Sequence, residues 1–158
     1  LAIVKQKIIS EKIKFVIGGE TRQSSVYEGL KLVSNEYVLV HDGARCFITS
    51  DLIDKIISEV SSTNLEAYVT AVKAIDSVRI VKNGFIDEVL DRDTLYYMQT
   101  PQVAKTNILI DAHEYANKND IIETDEVGVL SLIKIKAKII DGEYENIKIT
   151  TKKDLKEF

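Results

Sequence analysis

Short apolar runs alternate with amphipathic stretches along the whole chain. Phe15-Val16-Ile17 is a β-rich run that ends at Gly18-Gly19. Val26, Leu30 and Val33 then recur at helical spacing, which predicts a helix from about Arg22 to Val33. Tyr37-Val38-Leu39-Val40 is continuously apolar, the pattern of a strand covered on both faces. Ser50 is placed to cap a helix whose inner face is Leu52, Ile53, Ile56, Ile57 and Val60. Ala67 to Val72 reads as another buried strand. Ser77 to Val81 instead alternates polar and apolar residues and meets Asn83-Gly84, the dipeptide of a tight hairpin turn, with Phe85 to Leu90 as the return leg. Beyond it lie a strand at Tyr96–Thr100, a helix at Thr106–Asn117, and a short helix capped by Thr124. Late strands follow at Lys136–Ile140 and Asn146–Thr150. Thr151-Lys152-Lys153-Asp154 resembles a capping box that opens a last helix.

Strands alternating with helices predict an α/β sandwich with a largely parallel sheet, in which ligands bind beyond the carboxyl ends of the strands. The hairpin has little neighbouring sequence to cover it and is expected to project as an arm, about residues 76–92, from a single domain spanning residues 1–158. The net charge of −4 shows no basic stripe, which disfavours a nucleic-acid partner. One cysteine, Cys46, excludes an internal disulfide and fits a reducing compartment. No apolar run reaches membrane-spanning length, so the cytoplasm is the expected location and a membrane is not an expected partner.

The polar residues that follow each strand are the candidates for chemistry. Gly18-Gly19-Glu20-Thr21-Arg22, with Ser24 and Ser25, offers either a close ligand approach at a helix N-terminus or a tight turn with a serine cap. It is not a Walker loop. His41-Asp42-Gly43-Ala44-Arg45 places an Asp where Mg²⁺ or a ribose hydroxyl is held; the alternative is an Asp-Gly turn with an Asp–Arg pair. His41 reads as a structural hydrogen-bonding residue, since no second His lies at ligand spacing. His113 is expected at a helix edge or facing solvent, and Cys46 as a small packing residue. Asp76, Ser77, Arg79, Asp91 and Arg92 flank the hairpin, either as phosphate-binding groups or as exposed charges. Gln99-Thr100-Pro101-Gln102 offers a hydroxyl and amides to a polyol. Thr124-Asp125-Glu126 is by itself an acidic helix start. Lys148, between Ile147 and Ile149, points either to solvent or into a polar site.

The order of these segments is more specific than any one of them. GGETRQSSVYEGL from Gly18, VLVHDGAR from Val38, AIDSVR from Ala74, LDR from Leu90, QTPQ from Gln99, TDE from Thr124 and NIKITTKKDL from Asn146 together resemble the 2-C-methyl-D-erythritol 4-phosphate cytidylyltransferases. The resemblance runs from about Phe15 to the C-terminus. It implies a Rossmann-like nucleotidyltransferase sandwich and transfer of a cytidylyl group from CTP to methylerythritol phosphate, with Mg²⁺ as cofactor and pyrophosphate as second product, in non-mevalonate isoprenoid synthesis. It implies a homodimer joined through the hairpin arm. It assigns Gly19, Glu20, Arg22, Ser25, Asp42, Gly43 and Arg45 to CTP and Asp42 to the metal. Ser77, Arg92, Thr100 and Thr124 fall to the polyol phosphate, some of them across the dimer, and Lys148 to the reacting phosphate.

Cys46 stands where the family commonly has Pro, and Ser77 where Thr is common. The family's N-terminal strand and Gly-rich loop, which wraps the CTP triphosphate and supplies a Lys, have no counterpart here; Leu1 to Lys14 resembles the helix after the second strand. Read that way, the chain alone is expected to show little turnover and to associate through uncovered apolar faces and sheet edges. The chemistry implied needs no general base, because a phosphate monoester with a second pKa of about 6 is already largely ionised near neutrality. The difficulty is the meeting of two anions, which cations around the reacting phosphate relieve. Two rival readings are a ribitol 5-phosphate cytidylyltransferase and a non-catalytic dimerising remnant of the fold.

Overall fold

The computed structural model describes Ser10 and residues 12–154. The elements are α1 (Arg22–Leu30), β1 (Tyr37–Val40), α2 (Ser50–Thr63), β2 (Ala67–Lys73), β3 (Arg79–Lys82), β4 (Phe85–Val89), a 3-10 turn (Arg92–Thr94), β5 (Tyr96–Lys105), α3 (Thr106–Lys118), α4 (Glu126–Ser131) and β6 (Lys138–Asp141). One sheet has four strands in the order β1-β5-β2-β6, and β3 and β4 form a separate two-stranded ribbon. The chain divides into two compact units, one from residues up to Val40 with Val103–Ala137, the other from His41–Gln102 with Lys138 onward.

In the first unit α3 packs on α1 and α4. Its core is Leu30, Leu109, Ala112, Ala116, Val129 and Leu130. α1 ends three residues short of the expected Val33, and its cap is Thr21, whose side chain accepts from Ser24 N–H while the Ser24 hydroxyl accepts from Thr21 N–H. α4 is capped not by Thr124 but by Asp125, which accepts from Gly128 N–H at 2.8 Å. A carboxylate is the stronger acceptor at a helix N-terminus.

His113 departs from expectation most. It is fully buried in α3, its ring stacked on Tyr27 at 5.9 Å between centroids, and among the described residues neither ring nitrogen has a hydrogen-bond partner. Burial, reinforced by the nearby Arg22 charge, pushes its pKa down to about 4.

In the second unit the core gathers Leu52 and Ile56 of α2, Ala67 to Val72 of β2, and Ile140 of β6. α2 is capped by Thr49 rather than Ser50, Thr49 accepting from Leu52 N–H at 3.1 Å. Only Leu52 and Ile56 of its apolar stripe are buried, and Ile57 is 54% exposed. The helix closes on Asn64 in the left-handed conformation. The next N–H, that of Leu65, is taken by the Tyr68 hydroxyl at 2.6 Å. β2 pairs in parallel with β6, Tyr68 opposite Lys138 through Ala71 opposite Asp141. Cys46 is exposed rather than packed.

The hairpin forms as the Asn-Gly signal predicts, with Asn83 at φ 52° and Gly84 at φ 84°. These left-handed values match the turn that follows strand twist. Every residue of β3 and β4 is exposed, Phe85 at 78% and Val89 at 69%.

Three strand expectations need correction. Phe15-Val16-Ile17 is irregular rather than a strand, and it belongs to neither sheet. Asn146–Thr150 is likewise a linking segment: Ile149 N–H reaches Ala44 O at 2.9 Å, but no ladder follows. β1 is half-covered rather than buried, with Leu39 40% exposed. The expected C-terminal helix falls mostly outside the described residues. Its first turn is present, with Asp154 accepting from the N–H groups of Thr150 and Thr151, which holds its pKa down at about 2.

The buried His113 gives stability a pH dependence. Its folded pKa lies below the ordinary value of about 6.5, so between those pH values the unfolded chain binds the proton and the folded one does not. Stability is unaffected by this group above pH about 6.5 and falls as pH drops toward 4, by up to about 1.4 kcal/mol per pH unit. Urea unfolding of wild type and His113→Phe between pH 4 and 7 should show two curves whose difference changes across that window. Curves that stay parallel would contradict the assignment.

Candidate active site

The site in the second unit is built on three buried polar side chains. Gln99, Thr100 and Asn146 are 5%, 4% and 0% exposed, so each must find hydrogen bonds inside the protein. Gln99 Nε2 donates to Glu143 O at 2.7 Å, and Gln99 Oε1 accepts from Glu143 N–H at 3.3 Å. Asn146 Nδ2 donates to Thr100 O at 2.9 Å. Together they hold the loop after β6 against β5. Gly142 belongs to the same lock, since a Cβ there would collide with the Gln99 carboxamide.

The turn after β1 is fixed to the same strand. His41 Nε2 lies 2.9 Å from Arg45 O, an acceptor, so Nε2 carries the proton and Nδ1 accepts. The Thr100 hydroxyl therefore donates to Nδ1 at 3.1 Å and accepts from Asp42 N–H at 3.0 Å. His41 has the structural role expected of it. Arg45 Nη1 donates to Asn146 O at 2.8 Å and Nη2 to Met98 O at 3.3 Å. Burial lowers the Arg45 pKa from its ordinary value, and the Asp42 charge opposes that.

Asp42 and Lys148 consequently meet, although 106 positions apart in sequence, with Lys148 Nζ 2.8 Å from Asp42 Oδ2. The Lys148 side chain is 42% exposed and that of Asp42 15%, so the pair is more open to an incoming ligand on the lysine side. Gly43 is exposed in the same turn. Ser77 is exposed at the foot of the hairpin, and Arg92, in the 3-10 turn at its other foot, contacts Ile75 O at 3.4 Å.

The first unit holds the other candidates. Gly18 and Gly19 have no side chain for a steric reason: a Cβ on Gly18 would sit 2.6 Å from Ser25 Oγ, and one on Gly19 would strike Ser24. Ser25 turns its hydroxyl back to Thr21 O at 2.8 Å. Glu20 is exposed and lines, with Thr21, Gln23, Ser24, Asp120 and Ile121, a cleft of about 370 Å³. Arg22 forks onto Glu126, Nη1 to Oε1 at 2.9 Å and Nη2 to Oε2 at 3.0 Å, with Glu126 2% exposed. Thr124 is exposed two residues before it. Sequence reasoning singled out neither Gln23 nor Gly142, and it read Glu126 only as part of a helix start. The partners of Gln23 and Glu126 lie about a hundred positions away, and Gly142 faces Gln99 of β5 from a loop without periodicity, so no local pattern marks them.

Among the described residues no group of three or more His, Cys, Asp or Glu side chains is arranged to hold a metal. A single carboxylate at Asp42 suits a cation such as Mg²⁺, which takes one or two carboxylates and draws its other ligands from phosphates and water.

The profile of the 2-C-methyl-D-erythritol 4-phosphate cytidylyltransferase family matches residues 2–157. A cytidylyltransferase of that name from Prochlorococcus marinus strain MIT 9215 is 41% identical over 99% of this chain and 70% of its own length. One from Bacillus pumilus strain SAFR-032 is 37% identical over 97% of this chain and 67% of its own. Among solved structures, the 4-diphosphocytidyl-2C-methyl-D-erythritol synthase of Anaerococcus prevotii superposes with a TM-score of 0.89 at 32% identity, covering 99% of this chain and 74% of that one. The 2-C-methyl-D-erythritol 4-phosphate cytidylyltransferase of Francisella tularensis gives 0.84 at 33%, covering 94% and 71%. The fold is thus the Rossmann-like nucleotidyltransferase sandwich, and this chain belongs to the 2-C-methyl-D-erythritol 4-phosphate cytidylyltransferase family.

Proposed function

We propose that the protein transfers the cytidylyl group of CTP to 2-C-methyl-D-erythritol 4-phosphate, and that Lys148 is its cationic partner for the reacting phosphate. The observation that supports this best is the Asp42–Lys148 contact at 2.8 Å in a chain of this family. A phosphate oxygen of the polyol attacks the α-phosphorus of CTP, the bond to the β-phosphate breaks, and pyrophosphate leaves. Negative charge gathers on the α-phosphate oxygens, and an ammonium held in place beforehand stabilises it without reorganisation. Asp42 keeps Lys148 extended before substrate arrives. Thr100, assigned with Ser77, Arg92 and Thr124 to the polyol phosphate, also holds the turn after β1, its hydroxyl engaged by His41 Nδ1 and Asp42 N–H. A divalent cation such as Mg²⁺ would be held by Asp42 and by triphosphate oxygens, where it offsets phosphate charge.

Gly19, Glu20, Arg22 and Ser25 form the nucleotide-binding segment in this reading, Gly43 and Arg45 complete it, and Ser77, Arg92 and Thr124 serve the polyol phosphate. The hairpin arm pairs two copies of the chain. A two-stranded ribbon is marginal in water by itself, and this one exposes Val81, Phe85, Ile86 and Val89, which a second copy would cover. The cytoplasm is the proposed location. Among the described residues no helix is long and apolar enough to cross a membrane, and the single Cys46 forms no disulfide.

The test is pyrophosphate release by the full-length protein from CTP with methylerythritol phosphate or ribitol 5-phosphate. Turnover with the first, lost on chelation of divalent cations, is expected; preference for ribitol phosphate would replace the substrate assignment, and no turnover with either would remove the activity. Lys148→Ala should lower kcat about a hundredfold or more, the scale of losing one preorganised charge stabiliser. An unchanged kcat would remove Lys148 from the chemistry. Thr100→Val, which strands Asp42 N–H and His41 Nδ1, should cost about 1–3 kcal/mol in urea unfolding. A cost below about 0.5 kcal/mol would show that this network does not hold the turn.

A further inference from the structure

The segment that carries Thr124 is fastened on both sides to the start of α1. Before it, Gln23 Nε2 donates to Ile121 O at 3.0 Å, and Gln23 Oε1 accepts from Glu123 N–H at 2.7 Å. After it, Glu126 receives the fork of Arg22 at 2.9 and 3.0 Å. Gln23 is 5% exposed and Glu126 2%, so Gln23 has left water for the backbone of Ile121 and Glu123, and Glu126 for Arg22. Arg22 keeps 31% of its side chain exposed, so the pair is buried on the carboxylate side only; such a pair adds little net stability compared with apolar packing, and fixing one geometry is among its best-attested uses. The planar Arg fork fixes both distance and angle, as a lysine would not. Asp125, between the two fasteners, is itself tied to Gly128 N–H as the cap of α4. Thr124 thus lies on a segment tied at residues 121, 123 and 126 to Arg22 and Gln23.

We infer that Glu126 and Gln23 are positioning residues that hold the polyol-phosphate segment at Thr124 in register with the nucleotide segment at Gly19–Ser25, so that the two substrates are bound by one rigid clamp. This rests on the proposed assignment of those segments to the two substrates. Glu126 acts through Arg22, and Gln23 through the backbone of residues 121–123. Loosening either should weaken both substrates together and leave the reacting groups at Lys148 and Asp42 in place.

The experiment is steady-state kinetics of the full-length protein as wild type, Glu126→Gln and Gln23→Ala, with amide hydrogen exchange over residues 18–25 and 121–128. Glu126→Gln keeps the shape and removes the charge. Gln23→Ala removes the other fastener, which keeps the question answerable if one variant fails to fold. Each variant should raise the KM for CTP and for methylerythritol phosphate tenfold or more, change kcat less than threefold, and speed exchange in both segments. A merely structural role would lower the active fraction, and so the apparent kcat, with both KM values unmoved; that result overturns the inference, as does a rise in only one KM. Wild-type protein that makes no CDP-methylerythritol overturns the functional reading and this inference with it, whereas wild-type turnover with unmoved KM values overturns the inference alone.

Discussion

Three buried polar side chains shape the site in the second unit, and each makes at least one hydrogen bond inside the protein, although Asn146 Oδ1 has no partner among the described residues. Gln99, Thr100 and Asn146 sit near the start and middle of β5 and in the loop after β6, where an unmade hydrogen bond costs about 1–3 kcal/mol. Gln99 pairs with the backbone of Glu143 in the loop after β6, and Asn146 with the Thr100 carbonyl of β5. Satisfying them fixes where the loops run. Asp42 then meets Lys148 at 2.8 Å because both lie on segments already held, one through Thr100 and the other through Asn146. The ion pair is a consequence of this scaffold, and its open face is what a phosphate would use.

The first unit applies the same economy with charge. Glu126 is buried with Arg22 forked onto it, and Gln23 closes the backbone of residues 121–123. The neighbouring His113 stays neutral for the complementary reason: it is buried beside the Arg22 cation with no acceptor for a second proton. Packing around α3 therefore carries one engaged cation and one suppressed cation, and that arrangement depends on pH.

Much of the fold was legible because it rests on local signals. A continuous apolar run marked β2, the expected strand at Tyr96–Thr100 covered only the first half of β5, which runs on to Lys105, and Asn83-Gly84 marked the hairpin to within two residues. What failed were features set by distant partners. Phe15-Val16-Ile17 has strand composition, but composition supplies no ladder. Asn146–Thr150 alternates like a strand, yet the Asn146 side chain and carbonyl serve the loop lock. His113 lies in a helical pattern that does not say which face is covered, and the stacked Tyr27 is 86 positions away. The order of short motifs revealed the family, and it brought Asp42 and Lys148 forward as candidates. That they touch, and that Thr100 reaches Asp42 through its hydroxyl, follows only from the three-dimensional arrangement.

The central claim is that Asp42 holds Lys148 ready for the phosphate at which CTP reacts. A crystal structure of the full-length protein with CTP and Mg²⁺ tests it most directly. The account predicts that Lys148 Nζ lies within hydrogen-bond distance of an α-phosphate oxygen while Asp42 remains beside the metal. Lys148 still paired with Asp42, with the triphosphate bound elsewhere, would contradict it.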